Sequence, residues 1–230
     1  MTTIISVVIP CLDEADVARS RLAALQHLRV AGYELILVDG GSTDGTPDIA
    51  RPFVDRVLIA GRGRALQMNA GAAAAMGQVL WFLHLDSMLP AYAVRSVLCE
   101  ALNGPGWGRF DVRLSGRAPM LRLVERMMSV RSCLTGIATG DQGIFVRRDL
   151  FEAVGGFAEI QLMEDIELSS RLKRIVRPSC LPLRITTSSR RWERDGILRT
   201  IFTMWALRAA YWLGADPARL ARVYYPKFNR

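Results

Sequence analysis

The chain has 230 residues, half of them hydrophobic and 23% charged, with a formal net charge of +8. That supports one good-sized α/β domain, or a domain with an appendage, and excludes a globally disordered chain. The charge is uneven: residues 1–170 hold 16 basic and 19 acidic residues, and residues 171–230 hold 14 basic and 3 acidic ones.

A basic C-terminal quarter suggests an anionic partner such as nucleotide phosphates, anionic lipid or nucleic acid. The alternative is compositional, since 28 arginines against 2 lysines is a skew that genome base composition alone produces. Cys11, Cys99, Cys133 and Cys180 lie far apart without CxxC or zinc spacing, and read as reduced, buried thiols of a cytosolic protein. The opening MTTIISVVIP has no basic n-region and no small-residue cleavage site, so no signal peptide is expected.

In chain order, IISVVIP reads as a strand, and a helix follows over Ala15–Val30, carrying Val17, Leu22, Leu25 and Leu28. YELILVD is the next strand, with a short helix over Pro47–Val54 behind it. RVLIAG precedes the alanine-rich helix ALQMNAGAAAAM. VLWFLHLDSMLP begins as a buried strand, and a helix near Tyr92–Leu102 follows. This alternation predicts a Rossmann-like α/β fold, a mostly parallel sheet with helices on both faces. Ligands of such sheets bind beyond the carboxyl ends of the strands, where the strand order reverses.

Further on, GWGRFDVRL and QGIFVRR are strand candidates, and MLRLVERMMSV and EDIELSSRLKRI read as helices. LPLRITTSSRRW looks like a final strand before an apolar helix near Ile197–Leu213. Arg199 and Arg208 interrupt that helix, which excludes a membrane span. It reads either as a helix packed on the sheet or as an interfacial helix with Trp205, Tyr211 and Trp212 among arginines.

Carboxylates gather at the strand ends: Asp13 and Glu14 after the first strand, Asp39 at the end of the second, and Asp86 within HLDS. Helix capping accounts for Asp13 or Ser42 but not for Asp86. A buried carboxylate is costly without a partner, so three of them at one sheet edge point to a site. VDGGSTDGT lacks a following GKS or GKT, and GRGRAL lacks the last glycine of a dinucleotide fingerprint, which excludes a Walker A loop and a Rossmann cofactor site.

The ordered blocks VVIPCLDEA, LILVDGGSTDGT, GRALQMNAGAAAA, FLHLDS, GDQGIFVRR, VGGF and MEDIELSSRL resemble those of the family 2 inverting glycosyltransferases with the GT-A fold. The similarity runs from about Ser6 to Trp192, and its nearest pattern is the bacterial subgroup labelled selenodomain-associated transferases. The resemblance implies a single GT-A domain over residues 1–230, with 193–230 a basic, apolar helical extension. It implies that Pro10, Leu12 and Glu14 line the nucleotide pocket, that Asp39 bonds the base, most often uracil, and that Arg64 sits near the nucleotide.

Asp86, in the place of the family's DxD motif, would hold a divalent cation bridging the sugar-nucleotide diphosphate. His84 replaces the first aspartate of that motif. An imidazole suits Mn²⁺ better than Mg²⁺, and the alternative role for His84 is a contact to ribose. Asp141 in GDQG falls where the family holds the donor sugar and shapes the acceptor side, or else forms a polar turn. Arg191 and Trp192 resemble the RW of QxxRW, but Ser188 stands where glutamine would be, which disfavours polymer synthesis. They are candidates for the diphosphate or acceptor side, or an arginine stacked on a structural tryptophan.

Glu164 and Asp165 open a helix, where acidic residues also suit the macrodipole, and the resemblance puts the catalytic base at Asp165. The dipole is expected to depress its pKa. The implied partners are a nucleotide-sugar donor, with UDP favoured, and an acceptor that is a small molecule or a lipid. Peripheral contact of a cytoplasmic protein with an anionic membrane is open, and nucleic acid is disfavoured. The rival readings are a sugar-1-phosphate nucleotidyltransferase, which would want a glycine-rich basic loop after the first strand, and a non-catalytic basic module.

Overall fold

A computed structural model describes residues 4–225 of the protein. The first half lays down β1 (Ile5–Cys11), α1 (Ala15–Ala24), α2 (Gln26–Val30), β2 (Glu34–Asp39), α3 (Thr46–Ala50), β3 (Arg56–Ile59), α4 (Arg64–Ala74) and β4 (Val79–Phe82). The helix expected over Ala15–Val30 is two helices that meet at Leu25, so the chain turns there while Leu22, Leu25 and Leu28 all stay in the core. Next come α5 (Ala93–Leu102), β5 (Trp107–Leu114), α6 (Pro119–Thr135), β6 (Phe145–Arg147), α7 (Arg148–Ala153) and α8 (Glu164–Ile175). The chain then forms β7 (Ser179–Thr187), α9 (Arg190–Asp195), α10 (Ile197–Trp212) and α11 (Pro217–Tyr224). SSRRW therefore does not extend the last strand. The strand stops at Thr187, and Arg191 and Trp192 lie on α9.

One seven-stranded sheet has the order β3-β2-β1-β4-β6-β5-β7. Its strands run parallel except β6, which is antiparallel to both neighbours. β1 and β2 are buried along their whole length because both sheet faces are covered. Ile5, Val7 and Ile9 meet α1, α2 and α5 on one face, while Val8, Ile36 and Val38 meet α4 and α8 on the other. α4 sits very close to the sheet: a Cβ added at Gly71 would lie 2.3 Å from Val8 Cγ1 and 3.0 Å from Val38 Cγ2.

The expectation of four reduced, buried thiols is overturned. Cys133 near the end of α6 and Cys180 on β7 form a disulfide with a Cα–Cα distance of 5.8 Å, Cys99 is exposed, and Cys11 is a buried free thiol. The pairing closes a separation of 47 residues, a contact that only tertiary structure creates. A loop of that size limits the unfolded chain enough to add about 2–4 kcal/mol of stability. Urea unfolding with and without reductant is expected to show that loss for the wild type, no reductant effect for Cys133→Ser, and a wild-type-like response for Cys99→Ser.

Candidate active site

Successive strands step from β1 to β2 and β3 on one side and to β4 on the other, so the order reverses at the carboxyl ends of β1 and β4, where such sheets bind ligands. A cavity of about 460 Å³ opens there. Its walls come from Pro10, Leu12 and Glu14 after β1, His84 and Asp86 after β4, Arg62–Arg64 at the start of α4, and Ala221, Arg222 and Tyr225 at the chain's far end. The structure thus brings Pro10, Leu12, Glu14, Arg64, His84 and Asp86 together. Asp86 lies in a turn beyond the strand, closed by Ser87 N–H donating to the His84 carbonyl at 3.0 Å, and accepts from Thr187 Oγ1 at 3.4 Å.

Asp39 is buried and is not a wall of this cavity. Its Oδ2 accepts from the N–H groups of Gly41 and Ser42, each at 2.8 Å, and its Oδ1 from the Ser42 hydroxyl. The GGSTDGT loop is locked to the loop after β1 by Thr43 N–H donating to Asp13 and Asp13 N–H donating to Ser42 Oγ, both at 2.8 Å. Asp13 takes a left-handed φ of 50° to do so. Under both loops, the Gln67 amide on α4 donates to the carbonyls of Cys11 at 2.7 Å and Val38 at 2.9 Å.

The cavity wall combines acidic and basic side chains. Burial and the neighbouring Asp86 charge push the Glu14 carboxyl up to about 7, against the pull of Arg64 and Arg190. Arg64, on the first turn of α4, favours ionisation of Glu14, Glu164, Asp165 and Asp141. It also acts on His84: burial, and then Arg64, hold that imidazole neutral, well below its ordinary pKa. His84 faces the second part of the site, since a Cβ on Gly140 would come 2.8 Å from its Nε2.

That second part is a tight acidic pair at the start of α8. Met163 takes the left-handed conformation, φ 72°, a strain of order 1–3 kcal/mol that turns the chain into the helix. Glu164 is buried. Asp165 Oδ2 accepts from Gly140 N–H at 2.8 Å and Oδ1 from its neighbour Ile166 N–H at 2.7 Å. The expected depression of the Asp165 pKa is not found: burial raises it, outweighing those two bonds and the nearby Arg64 and Arg131. Glu164 is raised by burial and by Asp165. Asp141, in a short 3₁₀ helix over Gly140–Gln142, accepts from Thr139 Oγ1 at 2.5 Å, and burial raises its pKa despite that bond.

Arg191 and Trp192 lie outside the cavity wall. Arg191 stacks on the Tyr224 ring, 3.5 Å from its centroid, and donates to the Tyr224 carbonyl at 2.7 Å. It clasps α11 against the body, whereas Trp192 packs with the buried cluster of Leu121 and Val124. α11 and α10 share a further cluster with Met163 and with Ile166 of α8, so the extension from residue 193 joins the site; residues 226–230 lie outside the described residues. The sequence pattern gives no sign of Arg222, Tyr225 or Arg131 as site residues. Arg131 reads as an ordinary polar position on an amphipathic helix, yet its charge reaches Asp141 and Asp165.

No group of three or more His, Cys, Asp or Glu among the described residues could hold a metal by itself. Asp86 and Glu14 nevertheless repel each other within the cavity, and a cation between them would offset that repulsion. The donor set suits a hard ion held by Asp86 that completes its shell with ligand oxygens.

The Glycosyl transferase family 2 profile matches residues 6–127. A probable glycosyltransferase of Bacillus subtilis, YdaM, is 26% identical over 73% of this chain and 46% of its own length. A PGL/p-HBAD biosynthesis glycosyltransferase of Mycobacterium bovis is 38% identical over 66% of this chain and 62% of its own. The chain thus spans about half to three fifths of these relatives. Among solved structures, a mannosyltransferase of Pyrobaculum calidifontis in complex with GDP-Man and Mn²⁺ superposes with a TM-score of 0.63 at 21% identity, over 91% of this chain and 61% of its own. Glucosyl-3-phosphoglycerate synthase of Mycobacterium tuberculosis, in complex with Mn²⁺, UDP and glucosyl-3-phosphoglycerate, gives 0.59 at 20% identity, over 81% and 70%. Both are GT-A glycosyltransferases, and this sheet, with its single antiparallel strand and its switch-point cavity, has their fold. With the profile covering more than half of its length, the chain belongs to glycosyl transferase family 2.

Proposed function

We infer that the protein transfers a sugar from a nucleoside-diphosphate sugar, with UDP the favoured nucleotide, to an acceptor hydroxyl with inversion. The observation that carries this is the switch-point cavity, whose wall combines the carboxylates Glu14 and Asp86 with the arginines Arg62, Arg64 and Arg222. A diphosphate is an anion that such arginines neutralise, and the carboxylates suit the cation that travels with it. The mannosyltransferase and synthase named above were each solved with a nucleotide or nucleotide sugar and Mn²⁺, which supports the same ligand class here.

In this reading Asp86 holds the divalent ion, Mn²⁺ or Mg²⁺, which offsets charge on the leaving diphosphate. Neutral His84 faces the donor sugar or its ribose. Asp165, held by Gly140 and Ile166, takes the proton from the acceptor hydroxyl as its oxygen bonds to the anomeric carbon and the carbon–phosphate oxygen bond breaks. Its raised pKa makes it a stronger base than an ordinary aspartate. Asp141 and Arg131 face the donor sugar and acceptor side. Asp39 acts on the base through the loop that it orders.

A thermal-shift screen of nucleoside diphosphates and nucleotide sugars, with and without Mn²⁺, tests the reading. A UDP-sugar at 100 times its Kd adds about 2.7 kcal/mol, and so roughly 5–10 °C for a chain of this size. Unmoved transitions across the whole panel, with metal present, refute it.

A further inference from the structure

Two helices turn apolar stripes to solvent. On α6, Met120, Leu123, Met127, Val130 and Leu134 are all exposed, Leu134 at 71%, and their spacing keeps them on one face. On α10, Leu198, Phe202, Trp205 and Trp212 are exposed, Trp205 at 55%, again along one face. The opposite faces are satisfied: Leu121 and Val124 of α6 share a buried cluster with Ile197 and Ile201 of α10. That cluster also holds Val112 and Leu114 of β5, so α10 packs against α6 and the end of β5 while its stripe stays exposed.

The charge around the stripes is mostly basic, with Asp195 near Arg199 at the start of α10. α10 contains no acidic residue, and its spacing puts Arg199 and Arg208 on either side of the stripe. The one acid of α6, Glu125, is buried and accepts from Leu114 N–H at 2.6 Å, while Arg126 is exposed. No helix among the described residues is long and apolar enough to cross a membrane.

We propose that the joint α6–α10 face docks on an anionic bilayer surface, its Leu, Met, Phe and Trp side chains entering the headgroup boundary while the flanking arginines meet lipid phosphates. Tryptophan beside apolar residues with arginine borders is the pattern of a helix that lies in the interface plane. A second copy of the chain is the poorer occupant: an isologous contact uses the same patch twice and would bring two mostly basic borders together. The docking surface does not depend on the transferase reading.

Co-flotation with phosphatidylcholine vesicles, with and without phosphatidylglycerol, tests it directly. The wild type is expected to float with anionic vesicles at low salt and to be released at high salt. Each surface arginine is worth about five-fold in membrane partition, so Arg199→Ala with Arg208→Ala should weaken it roughly 25-fold. Phe202→Glu with Trp205→Glu should abolish flotation while leaving the thermal transition and nucleotide response intact, because both side chains are exposed. Flotation unchanged in that variant, or absent in the wild type at low salt, overturns the proposal. So does a lipid-free wild-type dimer that the same two substitutions dissolve, which would assign the face to a second copy.

Discussion

Asp165→Asn is expected to cut sugar transfer by about 10²–10⁴-fold, the usual worth of a general base, while donor and metal binding stay near wild type. The side chain keeps its size, and Gly140 N–H still finds an oxygen. One of the two accepted backbone bonds becomes an amide facing a donor, at a cost of about 1 kcal/mol. That separates the role from simple capping, which would lose a similar amount of stability and little turnover. The pH profile provides a second check. Burial raises the carboxyl above the usual aspartate range, so wild-type turnover should fall on acidification at a higher pH than an unperturbed aspartate would give, and Asp165→Asn should lack that limb. Transfer by the folded variant within a few-fold of wild type would move the base to Glu164 or Asp141.

Asp86→Ala is expected to abolish metal-dependent nucleotide binding, measured by calorimetry with UDP and Mn²⁺, and to stabilise the unliganded protein above neutral pH. The second effect follows from linkage. Glu14 is pushed up to about 7 by burial and then by Asp86, so the folded state holds its proton more tightly than the unfolded chain, where glutamate has a pKa of about 4.3. The stability tied to that proton is fully present below the unfolded value and is lost as pH rises through 7. Without Asp86 the repulsion goes and the loss shrinks, leaving the free variant more stable than the wild type at pH 8. Nucleotide affinity equal to wild type in the presence of Mn²⁺ would remove Asp86 from the site.

The parallel half of the fold was legible because β1 and β2, buried on both faces, are near-continuous apolar runs, and the helices between them carry their own periodicity. Asp86 stood out because it has no local role: the turn that holds it is built from backbone, and its carboxylate faces a cavity. Other features depend on contacts between distant segments. The Leu25 break, the antiparallel direction of β6 and the Cys133–Cys180 pairing leave no periodic trace. Arg191 was visible as part of a motif, but its partner Tyr224 lies 33 residues further on. The pKa of Asp165 was misjudged for a related reason. A helix start suggests a stabilised carboxylate, whereas the surrounding protein, which local sequence does not describe, removes more water than the backbone N–H groups replace.

The seat of α4 on the sheet bears on how this chain tolerates change. Gly71 touches no cavity and carries no chemistry, yet even one methyl group there would overlap Val8 and crowd Val38. The helix could make room only by lifting, and it carries Arg64 and Gln67 at its leading end. The Gln67 amide ties down the carbonyls of Cys11 and Val38, so the lift would reach the loops after both strands. A mutational library drawn from the cavity lining would leave out a position with very little latitude. Change is therefore easier to introduce through α11, whose Arg222 is exposed, than through the alanine-rich helix.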